Sequence, residues 1–269
     1  MGTLVCFHAH PDDECITTAG TMAKAAADGH RVVLVVATGG EYGEAPDDLA
    51  DGETLVERRR AETMRSAAVL GVARVAWLGY RDSGMTGWEQ NGDPRSFLQA
   101  DLEEAAGRLA VLLREERANV LTVYDFHGNY GHPDHIRVHQ AGHRAAVLAG
   151  TTSVYEATMN RDHLLRRIAE ARDAGYDMTP PDGDNNPDSW TDDGLPLGMP
   201  DAEITTQVDV ADYIAQKRAS LECHASQTTD SSYFLSMPEE AFLSAFGIEW
   251  FIHKGAPPGI REDALVGLD

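Results

Sequence analysis

Two short clusters carry the residue types that can do chemistry. One is His8-Ala9-His10-Pro11-Asp12-Asp13-Glu14, near the start of the chain, and the other is Tyr130-Gly131-His132-Pro133-Asp134-His135. Each sets histidine and aspartate around a proline. Imidazole and carboxylate together suit a borderline divalent ion such as zinc, and iron(II) fits such a set nearly as well. A catalytic zinc takes three protein ligands and keeps a fourth position open. His10 and Asp13 stand three apart, so one tight turn can aim both at a single ion. His132 or His135 would complete a His-Asp-His set, and the residues alone do not choose between them. Asp12 is then a spare carboxylate, free to act as a base on metal-bound water. The plainer reading is that Asp and Pro simply open a helix here. Two such clusters in one chain argue for a site.

The other candidates are weaker. His8 falls inside a strand and reads as a packed side chain, and Cys15 likewise reads as packing. His127, His139 and His143 read as structural or surface residues. His139 and His143 are four apart on one helix, but no third ligand for them suggests itself in the sequence.

The elements that must position the clusters alternate between strand and helix. Thr3 to His8 is a short apolar run of strand type. Thr17 to Asp28 is Ala-rich and helical. Val32 to Ala37 is β-branched with no polar alternation, as in a strand buried on both faces. A helix over Leu55 to Leu70, a strand over Ala73 to Leu78 and a helix within Pro94 to Glu116 follow. Next come a strand over Asn119 to Tyr124, a helix over Pro133 to Leu148 and a strand over Ser153 to Thr158. Later segments predict a strand at Glu203 to Val208, a helix at Val210 to Ala225, a helix ending at Phe242 to Phe246 and a last strand at Ile248 to Ile252. This pattern predicts an α/β fold, a Rossmann-like, mostly parallel sheet with helices on both faces. Ligands of such sheets bind beyond the carboxyl ends of the strands. The histidine clusters, Thr38-Gly39-Gly40-Glu41 and Gly79-Tyr80-Arg81-Asp82-Ser83-Gly84 all fall there. A long acidic, proline-rich loop is expected over 179–202, and the whole of 1–269 reads as one domain.

Composition narrows the function. The 269 residues include 44 acidic and 22 basic side chains, for a net charge of −22. That balance argues against nucleic acid, which is held by phosphate neutralisation, and against an anionic membrane surface. No apolar run approaches the ~18 residues of a membrane span, and the first residues lack a basic, then apolar, leader pattern. Three scattered cysteines (6, 15 and 223) read as free thiols in a reducing compartment, the cytoplasm. The expected partner is a small molecule. The oligomeric state is not legible.

His10-Pro11-Asp12-Asp13-Glu14, Thr38-Gly39-Gly40-Glu41 and His132-Pro133-Asp134-His135 together resemble the LmbE-like (PIG-L) zinc deacetylases. The likeness extends to Arg59 and Glu62, to Lys217 and His224-Ala225-Ser226-Gln227, and to Phe242 with Gly247-Ile248-Glu249-Trp250-Phe251. It implies His10, Asp13 and His135 as ligands of Zn2+, with Asp12 as general base on the zinc-bound water. It implies His132 as the oxyanion partner tuned by Asp134, and Tyr130 as a tyrosine over the metal. Gly79 to Met85 is similar to the mycothiol branch, which implies that Arg59 and Asp82 bind sugar hydroxyls. The implied activity is removal of the acetyl group from an N-acetylglucosamine-type sugar or glycoside. The alternative is an amidase on a mycothiol S-conjugate or another larger amide. That branch carries a lysine shortly after the first motif, where Thr17 stands here.

Overall fold

The computed structural model describes residues 1–173, 191, 194–227 and 234–268. Strand β1 (Thr3–His8) leads into two short helices, α1 (Asp13–Thr17) and α2 (Ala19–Ala27). They are followed by β2 (Arg31–Thr38), α3 (Leu55–Val69), β3 (Arg74–Tyr80), α4 (Leu102–Glu115) and β4 (Val120–Tyr124). A kinked turn, α5 (Gly128–Gly131), precedes α6 (Pro133–Ala149), β5 (Ser153–Thr158) and α7 (Arg161–Asp173). Then come β6 (Thr206–Asp209), α8 (Ile214–Glu222), α9 (Glu239–Phe246) and β7 (Ile248–His253).

The strands form one sheet in the order β3-β2-β1-β4-β5-β7-β6. The first five run parallel, and β7 pairs antiparallel with both β5 and β6. Apolar side chains leave both faces. Val5, Phe7, Val33 and Val123 pack with residues of α4 and α6, while Leu4, Cys6 and Val32 pack with Met22 and Ala19 of α2. The sheet is thus covered on both sides, as its unbroken β-branched run requires. Strand order reverses between β1 and β4. Crevices open at such a switch point, and both histidine clusters emerge there.

Several boundaries differ from the sequence reading. The Ala-rich helix predicted from Thr17 begins at Ala19, because Thr18 breaks the helix with φ −139°. There its hydroxyl bonds the Glu14 carbonyl and the His8 ring. The helix expected within Pro94 to Glu116 starts only at Leu102, capped by Asp101. Residues 94–101 instead turn back onto Arg81, whose carbonyl accepts from Phe97 N–H. Of the expected 179–202 loop, residues 179–190 and 192–193 lie outside the described residues. Its described end packs down: Gly198 N–H donates to the Asn129 carbonyl, and Leu197 and Met199 are buried.

The last strand is tied to the first helices by a buried ion pair. Lys217 Nζ lies 2.7 Å from Glu249, both side chains are 1% exposed, and Lys217 also donates to the Ile16 carbonyl. The same carboxylate accepts from the N–H groups of Gly20 and Thr21, at the start of α2. A helix N-terminus presents unpaired N–H groups and favours an anion.

Candidate active site

The chain leaves β1 through Ala9 and makes a turn so tight that Asp12 takes φ 91°. Two side chains cinch it. Asp13 accepts from His10 N–H at 2.7 Å, and Glu14 accepts from Asp12 N–H at 3.0 Å. Glu14 is wholly buried and also accepts from Ser66 and pairs with His224 at 2.8 Å. Burial would push its carboxyl up, but His224 and Ser66 bring it down to about 2.

Asp12 is reached from α3. Arg59 Nη2 donates to Asp12 Oδ2 at 3.0 Å and to the Pro11 carbonyl, and Nη1 donates to the Gly40 carbonyl. Burial raises the Asp12 carboxyl to about 6, with Arg59 pulling the other way. Thr38-Gly39-Gly40-Glu41 is what lets Arg59 in. Thr38 bonds back to the Ala9 carbonyl, and Gly40 has φ 66°. A Cβ on Gly40 would lie 2.2 Å from Arg59 Nη1. Glu41 accepts from Asp82 N–H and so ties in the loop after β3.

The second cluster comes from β4 and the start of α6. His132 is the N-cap of α6, its Nδ1 accepting from Asp134 N–H, with Pro133 in the first turn. His135 stacks on Tyr124, ring centroids 4.3 Å apart. The Asp134 carboxylate accepts from the Ser83 N–H and hydroxyl and lies 3.2 Å from His10 Nε2. Asp82 sits 3.5 Å from the same nitrogen and accepts from the N–H groups of Tyr42 and Gly84. Burial would lower the His10 pKa, but Asp82, Asp13 and Asp134 hold it well above the usual value. Burial, with His10 and His135 beside it, pushes His132 down to about 2.

His10, Asp13 and His135 converge. His10 Nδ1 is 3.4 Å from Asp13 Oδ2, and His135 Nε2 is 3.3 Å from Asp13 Oδ1. Among the described residues, neither ring nitrogen of buried His135 has a hydrogen-bond partner. A buried polar atom without a partner is costly, so a lone pair left bare beside a carboxylate fits a metal ligand. His10 meets the same test differently. Its Nε2 faces Asp134, which leaves Nδ1 for an ion, the arrangement that orients metal-bound histidines. One nitrogen each of His10, His132 and His135 lie within 4.8 Å of one another, so His132 borders the same space.

The family described as PIG-L, GlcNAc-PI de-N-acetylase, matches residues 5–146, which span both clusters. The chain belongs to this family. A Nocardiopsis dassonvillei protein described as 1D-myo-inositol 2-acetamido-2-deoxy-alpha-D-glucopyranoside deacetylase is 39% identical, over 97% of this chain and 99% of its own. A Thermobispora bispora protein of the same description is 37% identical, over 94% of this chain and 88% of its own. Among solved structures, N,N'-diacetylchitobiose deacetylase from Pyrococcus horikoshii superposes with TM-score 0.56 at 22% identity, covering 93% of this chain and 83% of that one. The 4-carboxy-2-hydroxymuconate hydratase GalB from Pseudomonas putida superposes with TM-score 0.62 at 17% identity, covering 95% and 97%. A hydratase on the same frame shows that fold alone does not select the reaction. The family, the α/β fold and the N-deacetylase class expected from the sequence all hold.

In this PIG-L chain the three arginines of α3 have different partners. Arg59 is the inward member of its run of three arginines: Arg58 pairs with Asp48 and Glu53, and Arg60 lies over Trp77. Arg59 is 4% exposed and its Nη atoms bond protein oxygens, Asp12 Oδ2 among them. Asp82, 5% exposed, faces His10. Asp134 meets His132 through its backbone N–H, which donates to His132 Nδ1. The Tyr130 ring centroid lies 5.0 Å from that of His135. Ser83 and Tyr124 escaped the sequence reading. Both are ordinary residues whose value lies in where two distant strands end.

Proposed function

We propose that this chain removes the acetyl group from an N-acetylglucosamine glycoside, the 1D-myo-inositol glycoside named for its relatives being the first candidate. The observation that carries the reading is Asp12, a carboxylate outside the convergent His10, Asp13 and His135 set yet next to it in the chain. Those three residues would hold a divalent ion, zinc or iron(II), which when bound acidifies water and polarises an amide carbonyl.

The residues divide the remaining work. Arg59 occupies Oδ2 of Asp12, which leaves Oδ1 to take a proton from the attacking water. Because His132 Nδ1 already accepts from Asp134 N–H, the neutral ring carries its proton on Nε2. That N–H is the donor for charge developing on the carbonyl oxygen, a contribution commonly worth about 10²–10³ in kcat. The Tyr130 hydroxyl is a second such donor. As the C–N bond breaks, the proton taken by Asp12 is the one the departing amine requires. Products are acetate and the free amino sugar.

The test is release of free amine from N-acetylglucosamine, its inositol glycoside and a thiol conjugate, with metal-loaded wild type beside Asp12→Ala. Turnover of the glycoside, lost in Asp12→Ala at unchanged metal content, is expected. Turnover of the conjugate alone would replace the reading with the amidase, and turnover of none would overturn it.

A further inference from the structure

His135 is the first of three histidines spaced four apart on α6, the others being His139 and His143. Four residues of α-helix rise about 6 Å and turn slightly more than once around the axis, so the three form a ladder on one side of the helix. The upper two rungs are not part of the site described above. Glu156, on β5, supplies what the sequence lacked, a carboxylate beside both. His143 Nε2 lies 2.7 Å and His139 Nδ1 3.9 Å from the same oxygen, Glu156 Oε1. One nitrogen of each histidine and a Glu156 oxygen all lie within 4.8 Å of one another, and the two rings are 4.5 Å apart.

We propose that His139, His143 and Glu156 form a second divalent-metal site, separate from the one that holds the catalytic ion. Two imidazoles and one carboxylate suit zinc, nickel, cobalt or copper rather than magnesium or calcium. The Tyr124 carbonyl accepts from His139 Nδ1 at 3.0 Å, which fixes the ring and leaves Nε2 as the nitrogen open to an ion. A backbone carbonyl on the other ring nitrogen is a common second partner of ligating histidine. Burial also lowers the His139 pKa, which favours the neutral form a metal needs. An ion can reach the site: the three side chains are 20%, 18% and 12% exposed, and His143 lines an open depression with Arg144, Val147 and Lys254. The buried site is more enclosed, its His10 and His135 side chains being 10% and 3% exposed. The second site therefore holds its ion less tightly and exchanges it faster.

Equilibrium dialysis of chelator-stripped protein against Zn2+, read by elemental analysis, tests this. Wild type is expected to bind two equivalents, the second at least tenfold more weakly. His143→Asn and Glu156→Gln should each lose the weaker one alone, and His10→Asn with Asp13→Asn should lose the tighter one alone. A second readout guards against misfolded variants. In the His10→Asn, Asp13→Asn background, Zn2+ should still raise Tm, and adding Glu156→Gln should abolish the rise. One equivalent in wild type at saturating Zn2+, or a Tm rise that survives Glu156→Gln, overturns the site.

Discussion

Glu14 accepts the backbone N–H of Asp12 across 3.0 Å, and it does so while Asp12 sits at φ 91°. A left-handed backbone at a residue other than glycine costs on the order of 1–3 kcal/mol and persists only where its surroundings impose it. The surroundings here are one carboxylate, itself held by Ser66 and His224. Glu14 therefore sets the direction of Asp12 without touching substrate.

Glu14→Gln should accordingly cost stability as well as rate. Breaking one side of a buried ion pair typically costs about 3–5 kcal/mol, and urea unfolding should show a loss of that order. The wild-type pH dependence has a definite sign. Its carboxyl is held at about 2 against an ordinary 4.5, so its contribution is complete above 4.5 and is lost as pH falls toward 2. Acid unfolding of Glu14→Gln should lack that component; identical acid curves would contradict the assignment.

Asp12→Asn keeps shape and removes the base. A general base typically contributes 10²- to 10⁴-fold, so kcat should fall by about that much. Metal content should not change, since Asp12 lies outside the convergent three. Loss of bound metal in Asp12→Asn would make it a ligand instead.

The pH profile should carry the mark of Arg59. Asp12 must be ionised to take a proton, and with its carboxyl near 6 the rate should fall as pH drops through that value. Arg59 opposes the upward push of burial. Arg59→Met therefore moves the acidic limb of kcat/KM to higher pH. A limb that stays put would mean that the limb belongs to another group.

Asp134→Asn should loosen the metal. Its carboxylate faces His10 Nε2 and is anchored on Ser83. Partners of this kind are commonly worth 10- to 100-fold in metal affinity. Competition with a chelator would measure it, and Ser83→Ala should show a smaller effect in the same direction.

Gly40→Ala tests the loop after β2. An added Cβ would meet the Arg59 guanidinium at 2.2 Å. The variant should lose activity as an Arg59 variant does, with metal content unchanged. Full activity would separate the loop from Arg59.

Much of this was legible in the sequence because local chemistry and local geometry coincide there. Val32 to Ala37 reads as a covered strand and is one. His10 and Asp13 lie on one turn, so their spacing alone announces a joint role. What could not be read depends on contacts across the fold. The likeness gave Asp82 a part in sugar binding but no sign of its neighbour: β3 ends where His10 lies, and the two are 3.5 Å apart. Arg59 has the charge to bind a sugar, and only the fold shows that its Nη atoms already bond the Gly40 and Pro11 carbonyls and Asp12. His139 and His143 read as a pair without a partner, because Glu156 sits on another element, thirteen residues past His143.

The Lys217–Glu249 pair has a bearing on how the chain is made. Glu249 caps the start of α2 from 229 residues away, so a nascent polypeptide emerges with α2 uncapped and waits for all of the intervening chain before closing. Contacts of such separation are slow to form. The stretch that matches the family, residues 5–146, contains every residue placed around the catalytic ion, but neither member of this clasp. A fragment cut there would lack the closure, leaving the start of α2 without the carboxylate that caps it.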